Sequence, residues 1–503
     1  MTNEQLDKIA MDFDEAIDSH DPSKIVNQIK SAKKSLRQCS DLDAARLHYY
    51  IATAYAELGP RDAADRTDKI HKQLRHYRES LDALSNVEPK DQSNVYIMTY
   101  AQVLTNYGNL LKRCGRFVAA IDSYQRAIQI CPLHAMTHGI LGLLYHSYGS
   151  TALYQDDKSY FYNSAYNHLH IVLNLQDPNV YPDAEDTFRE CYDRYSDKIL
   201  EQIHHDTDVN DTVGYKTKSE REYRDWALQN GLFLNELSDL TDVCTWMAED
   251  NLHLGKIIDN GQYPPTCYGM FNQIKQEYTY ARYLLHEALK LRNKRTPHYA
   301  DRKVFMVNTL DYPCYGLRIE HLRTAFLTLY SLFDRIAFLL NEYFRIGIKS
   351  NDISFENIWK RHIGNPQQSG YEFTNPLCIE ENPSIYALHW IHYDMTCQSS
   401  TSNPHLPRMM KLRHALIHRY TKVIDAAIVN LKQIEKAQID TSAFYVTDEE
   451  LESYTLELMK IIREAILYTL FSIRIEEAKR IEDIHDTQII ECTLDTYDDR
   501  WKL

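Results

Sequence analysis

The chain has 503 residues, 44% hydrophobic and 25% charged, with a net charge of −15, the balance of a globular protein of two or three domains with ample core. Its 15 Gly and 15 Pro leave few backbone breakers, which argues against a large β protein. The acidic balance repels nucleic acid overall, so any polyanion must be gripped by a local basic patch.

The start, MTNEQLDKIAMDFDEAIDSHD, is acidic and lacks the basic and apolar segments of a signal peptide. No uninterrupted apolar run reaches the ~18 residues of a membrane span. Ten Cys are scattered from Cys39 to Cys492 without a C-x-x-C pair, which points to reduced thiols rather than a disulfide framework or a structural zinc site. A cytoplasmic protein, with no membrane partner, is expected. Tyr is abundant, at 37, and an aromatic with a hydroxyl handle suits half-wet seams between helices.

Residues 1–40 read as an N-terminal helical cap. From 41 the sequence reads as paired helices. In NYGNLLKRCGRFVAAIDSYQRAIQICP, the residues Gly108, Leu111, Gly115, Ala120, Tyr124, Ala127 and Pro132 alternate small, large and helix-ending types. Small residues let two helices approach, large ones fill the gap and proline stops the second helix. Gly142 lies thirty-four residues past Gly108, with Tyr145 at the matching large position, and Ala52, Tyr55 and Gly59 repeat the offsets upstream. This spacing resembles the tetratricopeptide repeat, whose period is about 34 residues. A repeat array is expected over 41–205, with its concave side open to a peptide or protein partner. The polar stretch 206–219 reads as a linker.

Helical periodicity resumes in 220–315, and a wide apolar stripe, Phe326, Leu329, Leu332, Phe333, Ile336, Leu339, Leu340 and Phe344, marks a buried helix. A shorter helix starts near Pro383. Pro407 opens one expected to run through PRMMKLRHALIHRYTKVIDAAIVNLKQIEKA. A last helix follows Thr447 as N-cap, with Glu450 completing a capping box. Residues 486–503 form an acidic tail. The fold class is all-α.

The segment Arg413-His414-Ala415-Leu416-Ile417-His418-Arg419-Tyr420 resembles the Arg-x4-His signature of HEPN ribonucleases, in the variant that adds x-Tyr and is found in HEPN toxins. LFLNELSDL, FNQIKQEYTYARYLL, AFLTLYSLFDRIAFLLNEYF and ALHWIHYD resemble a bacterial HEPN family that follows tetratricopeptide arrays. On this resemblance, 316–485 is the HEPN bundle and 220–315 its helical elaboration. The resemblance implies metal-independent RNA cleavage leaving a 2′,3′-cyclic phosphate and a 5′-hydroxyl, in a toxin or anti-phage effector governed by its repeats. The residue types suit that chemistry: His moves protons at neutral pH, and Arg offers a bidentate fork to phosphate. His418 is assigned to proton transfer, Arg413 to phosphate and His414 to a supporting polar role. Tyr420 reads either as a modification site, by resemblance to toxins silenced by nucleotidyl transfer, or as a packing residue.

Residues 395–424 contain no Asp or Glu, so Arg408, Lys411, Arg419 and Lys422 are candidate RNA contacts. Lys290, Arg292, Lys294, Arg295, Arg302 and Lys303 form a second basic cluster. Asp334 or Glu342 could orient Arg413, or lie on the surface. On a regular helix Arg413 and His418 stand about 140° apart; HEPN domains dimerise with their motifs near the two-fold axis, which would combine groups from two chains. His414 with His418, and His389 with His392, lack a third acidic or Cys ligand, and no phosphate-cradling glycine loop is present. Neither a metal nor another cofactor is expected. The alternative is a repeat scaffold with a catalytically silent HEPN domain that binds RNA or a partner.

Overall fold

The computed structural model describes residues 3–60, 62–178, 180–195, 199–201, 203, 216–240, 247–258, 265–292, 294, 296–359, 361–363, 370–372, 377, 381–396, 405–426, 440–483, 494–495, 497 and 499–502. Among them α-helices dominate, and strands are confined to two short pairs.

The first helices are α1 (Asn3–Asp18) and α2 (Pro22–Ser35). With the outer face of α3 (Asp41–Glu57) they bury a small core of their own around Leu6, Phe13, Ile25, Ile29, Leu47 and Ile51. Helix–turn–helix pairs follow: α3 with α4 (Ala63–Ser85), α5 (Asn94–Arg113) with α6 (Phe117–Ile130), and α7 (Ala135–Thr151) with α8 (Gln155–Leu175). The series continues into α9 (Pro182–Tyr192). Ser40, Asp62 and Ser93 accept hydrogen bonds from backbone N–H groups in the first turns of α3, α4 and α5, which satisfies donors those helices would otherwise expose.

The small residues sit where helices touch. A β-carbon on Gly108 would run into the ring of Tyr124, and one on Gly142 would come within 2.8 Å of Leu169 Cγ. Ala52, Ala120 and Ala127 are fully buried. Gly59 faces open space instead, where the connection from α3 to α4 is longer. Gly108 and Gly142 thus sit at close contacts between paired helices, as the small-residue spacing predicts.

The second half begins with α10 (Lys218–Gln229). Helices α11 (Thr266–Arg292) and α12 (Leu317–Tyr343) form a long hairpin, against which α15 (Asp448–Asp483) packs; α13 (Pro383–Thr396) and α14 (Leu406–His418) complete the bundle. The capping box at the head of α15 forms as the sequence spells it: Glu450 N–H donates to Thr447 Oγ1 at 3.0 Å, and Thr447 N–H donates to Glu450 Oε2 at 3.1 Å. No helix among the described residues is long and apolar enough to cross a membrane.

The long helix expected from Pro407 does not form. It stops at His418, Arg419 turns extended (φ −133°, ψ 165°), and the chain enters β3 (Thr421–Ile424), which pairs in parallel with β4 (Phe444–Thr447). Thr421, Val423 and Ile424 are β-branched and favour a strand once one is offered. A third segment completes the offer, with Cys314 N–H donating to Val423 carbonyl at 2.7 Å and Pro313 bridging Ile424. The stretch 427–437, also assigned to that helix, lies outside the described residues. A second pair, β1 (Arg361–Ile363) and β2 (Gly370–Glu372), is antiparallel.

The two halves share one buried core that runs from Ala45 to Ile473. The Phe117 ring of α6 lies 5.4 Å from those of Tyr468 and Phe471 in α15, and Val118 N–H donates to Tyr468 Oη at 3.1 Å. Gly115, in the turn between α5 and α6, takes φ 76° and meets the carbonyl of Pro383 where a β-carbon would sit. Glycine is required there both for its backbone angle and for the close approach. Most of the linker expected at 206–219 lies outside the described residues.

Candidate active site

Helix α14 is amphipathic for a plain reason. Leu406, Met409, Leu412 and Ala415 recur at helical spacing and are buried, while Lys411, His414 and His418 line the solvent side. The imidazoles of His414 and His418, one turn apart, stand with ring centroids 5.1 Å apart. His418 is the last helical residue, so it sits where the helix carbonyls end. Arg419 follows in extended backbone, and both it and Tyr420 are exposed.

Arg413 leaves α14 on a different side. It is half-buried, and its guanidinium carbon lies 5.3 Å from the ring centre of Tyr330 on α12. Burial raises the Tyr330 phenol to about 12, with Arg413 pulling the other way, so the ring stays neutral and presents its face to the cation. No contact joins Arg413 to His418 within one chain. His414 and His418 are brought together; Arg413 is held apart from them by the helical angle. Tyr330 was missed in the sequence because it adjoins the apolar stripe of α12, where an aromatic reads as packing.

The basic residues divide into two kinds. Among the described residues no carboxylate pairs with Lys411, Arg413 or Arg419, so their charge faces solvent or, for Arg413, an aromatic ring. Arg408 and Lys422 are committed elsewhere. Arg408 pairs with Glu450, Nε to Oε1 at 3.2 Å, and packs over Phe444. Lys422 is 5% exposed and pairs with Asp311 at 2.5 Å and Asp440 at 3.2 Å. Burial works against its charge, but those carboxylates outweigh it and raise the ammonium pKa. The acid-free stretch 395–424 therefore does not stay acid-free in space: Asp311, Asp440 and Glu450 arrive from other segments.

The remaining candidates resolve similarly. Asp334 accepts the N–H of Phe355 at 3.0 Å, which fixes a turn rather than Arg413, and Glu342 is exposed. In the second basic cluster Arg292 pairs with Glu449 and Glu452, and Lys290 pairs with Glu287. Arg295 lies outside the described residues. His389 and His392 are buried among aromatic rings, including Trp359. A metal-ligand grouping does exist among the described residues, but in the helical array: His48, His76 and Glu79.

Beside β3 runs an exposed apolar segment. Phe305, Val307 and Leu310 are each more than four-fifths exposed, and Leu310 and Tyr312 adopt positive φ (63° and 54°). A patch of this kind on a folded domain marks a contact surface.

Residues 258–476 match the LA2681-like HEPN family. This part of the chain is a HEPN domain. The matched span includes α11, α12, α13, α14 and most of α15, and so the whole of Arg413–Tyr420. No curated protein and no solved structure matches the chain significantly.

Proposed function

We propose that the chain is a metal-independent RNA endonuclease effector, of the toxin or anti-phage kind, controlled through its helical array. The observation that carries this reading is the HEPN match spanning Arg413–Tyr420, with His414 and His418 exposed together on one helix face. The RNA supplies its own nucleophile, a 2′-hydroxyl. His418 moves the proton between that hydroxyl and the leaving 5′-oxygen, and Arg413 stabilises the charge that builds on the phosphorane. His414 orients His418 or the phosphate, and Lys411 and Arg419 hold the flanking backbone. Tyr420 is half-exposed, with the Lys422 ammonium 5.4 Å from its ring centre, a setting open to modification.

Arg413 and His418 of one chain do not touch, so the reading includes a two-fold dimer in which the motif of one HEPN domain faces that of the other. The exposed segment 304–312 beside β3 supports such a contact. Residues 41–205 are taken as the tetratricopeptide-like unit, and a groove of about 320 Å³ between α3 and α5, lined by Tyr49, Tyr50, Val95 and Met98, suits a peptide or protein partner. A cytoplasmic site of action belongs to the same reading.

The engagement of Arg413 with Tyr330 favours a second reading, a scaffold whose HEPN domain is catalytically silent. Cleavage of labelled RNA in EDTA separates the two. Arg413→Ala and His418→Ala are expected to slow cleavage at least ~100-fold while circular dichroism stays unchanged. Wild-type rates in a folded His418→Ala protein would sink the nuclease and leave the scaffold.

A further inference from the structure

Three ligand-type atoms converge in the first hairpin of the array. His48 Nδ1 on α3 lies 2.9 Å from His76 Nδ1 on α4. Glu79 Oε2 lies 3.1 Å from the first and 3.2 Å from the second. The two imidazoles stack with centroids 5.1 Å apart. His76 and Glu79 are three residues apart on α4 and so share a face.

While Glu79 is a carboxylate, protons cannot satisfy this triangle. If both Nδ1 atoms carry hydrogen, two N–H donors face each other at 2.9 Å. If only one does, the lone pair of the other imidazole faces a carboxylate oxygen within 3.2 Å. Either way one edge of the triangle is repulsive. A cation at its centre makes all three contacts attractive. Ligand atoms about 2.0–2.1 Å from a tetrahedral zinc stand roughly 3.3 Å apart, so the side chains would open by only a few tenths of an ångström.

The chain supplies a built-in contrast. His138 and His168, on α7 and α8, also bring Nδ1 to Nδ1, at 2.8 Å. There His138 Nε2 donates to the Pro132 carbonyl at 2.9 Å, which leaves its Nδ1 free to accept from His168. One choice of tautomers satisfies that pair, and no carboxylate intrudes.

We propose that His48, His76 and Glu79 bind one divalent transition-metal ion, Zn²⁺ by preference, that clamps α3 to α4. Two imidazoles and a carboxylate suit zinc rather than the oxygen-seeking Mg²⁺ or Ca²⁺. Arg75 Nε donates to Glu79 Oε1 at 2.8 Å, which fixes the carboxylate and turns Oε2 towards the imidazoles. The Glu79 side chain is 34% exposed, so water can reach a fourth coordination position. The clamp sits in the array and needs no part in RNA chemistry; the test below reads no cleavage and stands whether or not the HEPN domain is a nuclease.

The experiment is calorimetric titration of the tag-free full chain, stripped with EDTA, by ZnCl₂, alongside thermal melts with and without Zn²⁺. One equivalent is expected to bind and to raise the melting temperature. Glu79→Gln, a half-exposed change that leaves the helix intact, should weaken binding at least ~10-fold, and His76→Gln should do the same. His138→Gln should leave the titration unchanged. Absence of binding by the wild type, or wild-type affinity in a folded Glu79→Gln protein, overturns the proposal.

Discussion

Arg78 of α4 and Asp394 of α13, 316 residues apart, meet in a two-pronged ion pair, Nη1 to Oδ1 at 3.0 Å and Nη2 to Oδ2 at 2.6 Å. Arg116, which precedes α6, reaches the same carboxylate at 3.0 Å and Glu464 of α15 at 2.9 Å. Burial alone would push Asp394 up, but Arg78 and Arg116 outweigh it and hold the carboxyl below its usual range. The helical array and the HEPN domain are thus joined by a desolvated charge cluster as well as by shared core.

Breaking that cluster from one side should be costly. Asp394→Ala leaves two buried guanidinium groups without their carboxylate, and should lower stability by about 3–5 kcal/mol. Urea denaturation followed by circular dichroism reads the loss directly. An unchanged midpoint would mean that solvent reaches the cluster.

The same seam should be acid-sensitive. His71 on α4 packs against Trp390 and Tyr393 of α13, and His389 directly precedes Trp390. Burial pulls each from the ordinary 6.5 to about 4, with smaller opposing effects of Asp394 and Arg78 on His71. The unfolded chain therefore takes up protons that the folded chain refuses. Stability is complete above pH 6.5 and falls as the pH drops towards 4. Asp394, whose folded pKa is depressed, adds a further loss at lower pH still, as it protonates. Melting temperature against pH should show the first decline, and His389→Phe should make it shallower.

Gly108 offers a packing test. Its missing side chain is the space occupied by the Tyr124 ring, so Gly108→Leu should overpack the α5–α6 seam and cost on the order of 1–3 kcal/mol. A thermal melt that matches the wild type would show that α6 can shift without penalty, which a repeat packed on both sides does not permit.

The basic residues near the motif should separate by kind. Lys411→Ala and Arg419→Ala should weaken RNA binding and reduce its salt dependence by about one counterion each, while stability is unchanged. Lys422→Met should do the reverse, costing about 2 kcal/mol of stability through loss of charged hydrogen bonds to Asp311 and Asp440. RNA titrations across a salt series, paired with denaturation curves, distinguish the two patterns. A strong binding defect in a stable Lys422→Met protein would place that ammonium at the RNA after all.

The helical class, the small residues at Gly108 and Gly142, the capping box at Thr447 and the HEPN signature at 413–420 are local patterns. Each depends on spacing along one helix or between adjacent ones, and spacing is what a sequence displays. What α14 does after His418 is not local. Nothing between Arg419 and Ile424 breaks a helix, and the strand exists because β4 and the segment at Pro313 bring hydrogen-bonding partners from far along the chain. The neutralisation of Arg408 and Lys422 depends likewise on carboxylates that tertiary packing delivers. The same holds for Tyr330 under Arg413, for Asp394 between two arginines, and for the meeting of His48, His76 and Glu79. The sequence determined which side chains could carry charge, proton or metal chemistry; the tertiary structure decided which of them face solvent and which are held by partners, because pairing depends on distance in space and a buried charge persists only where a partner has been brought to it.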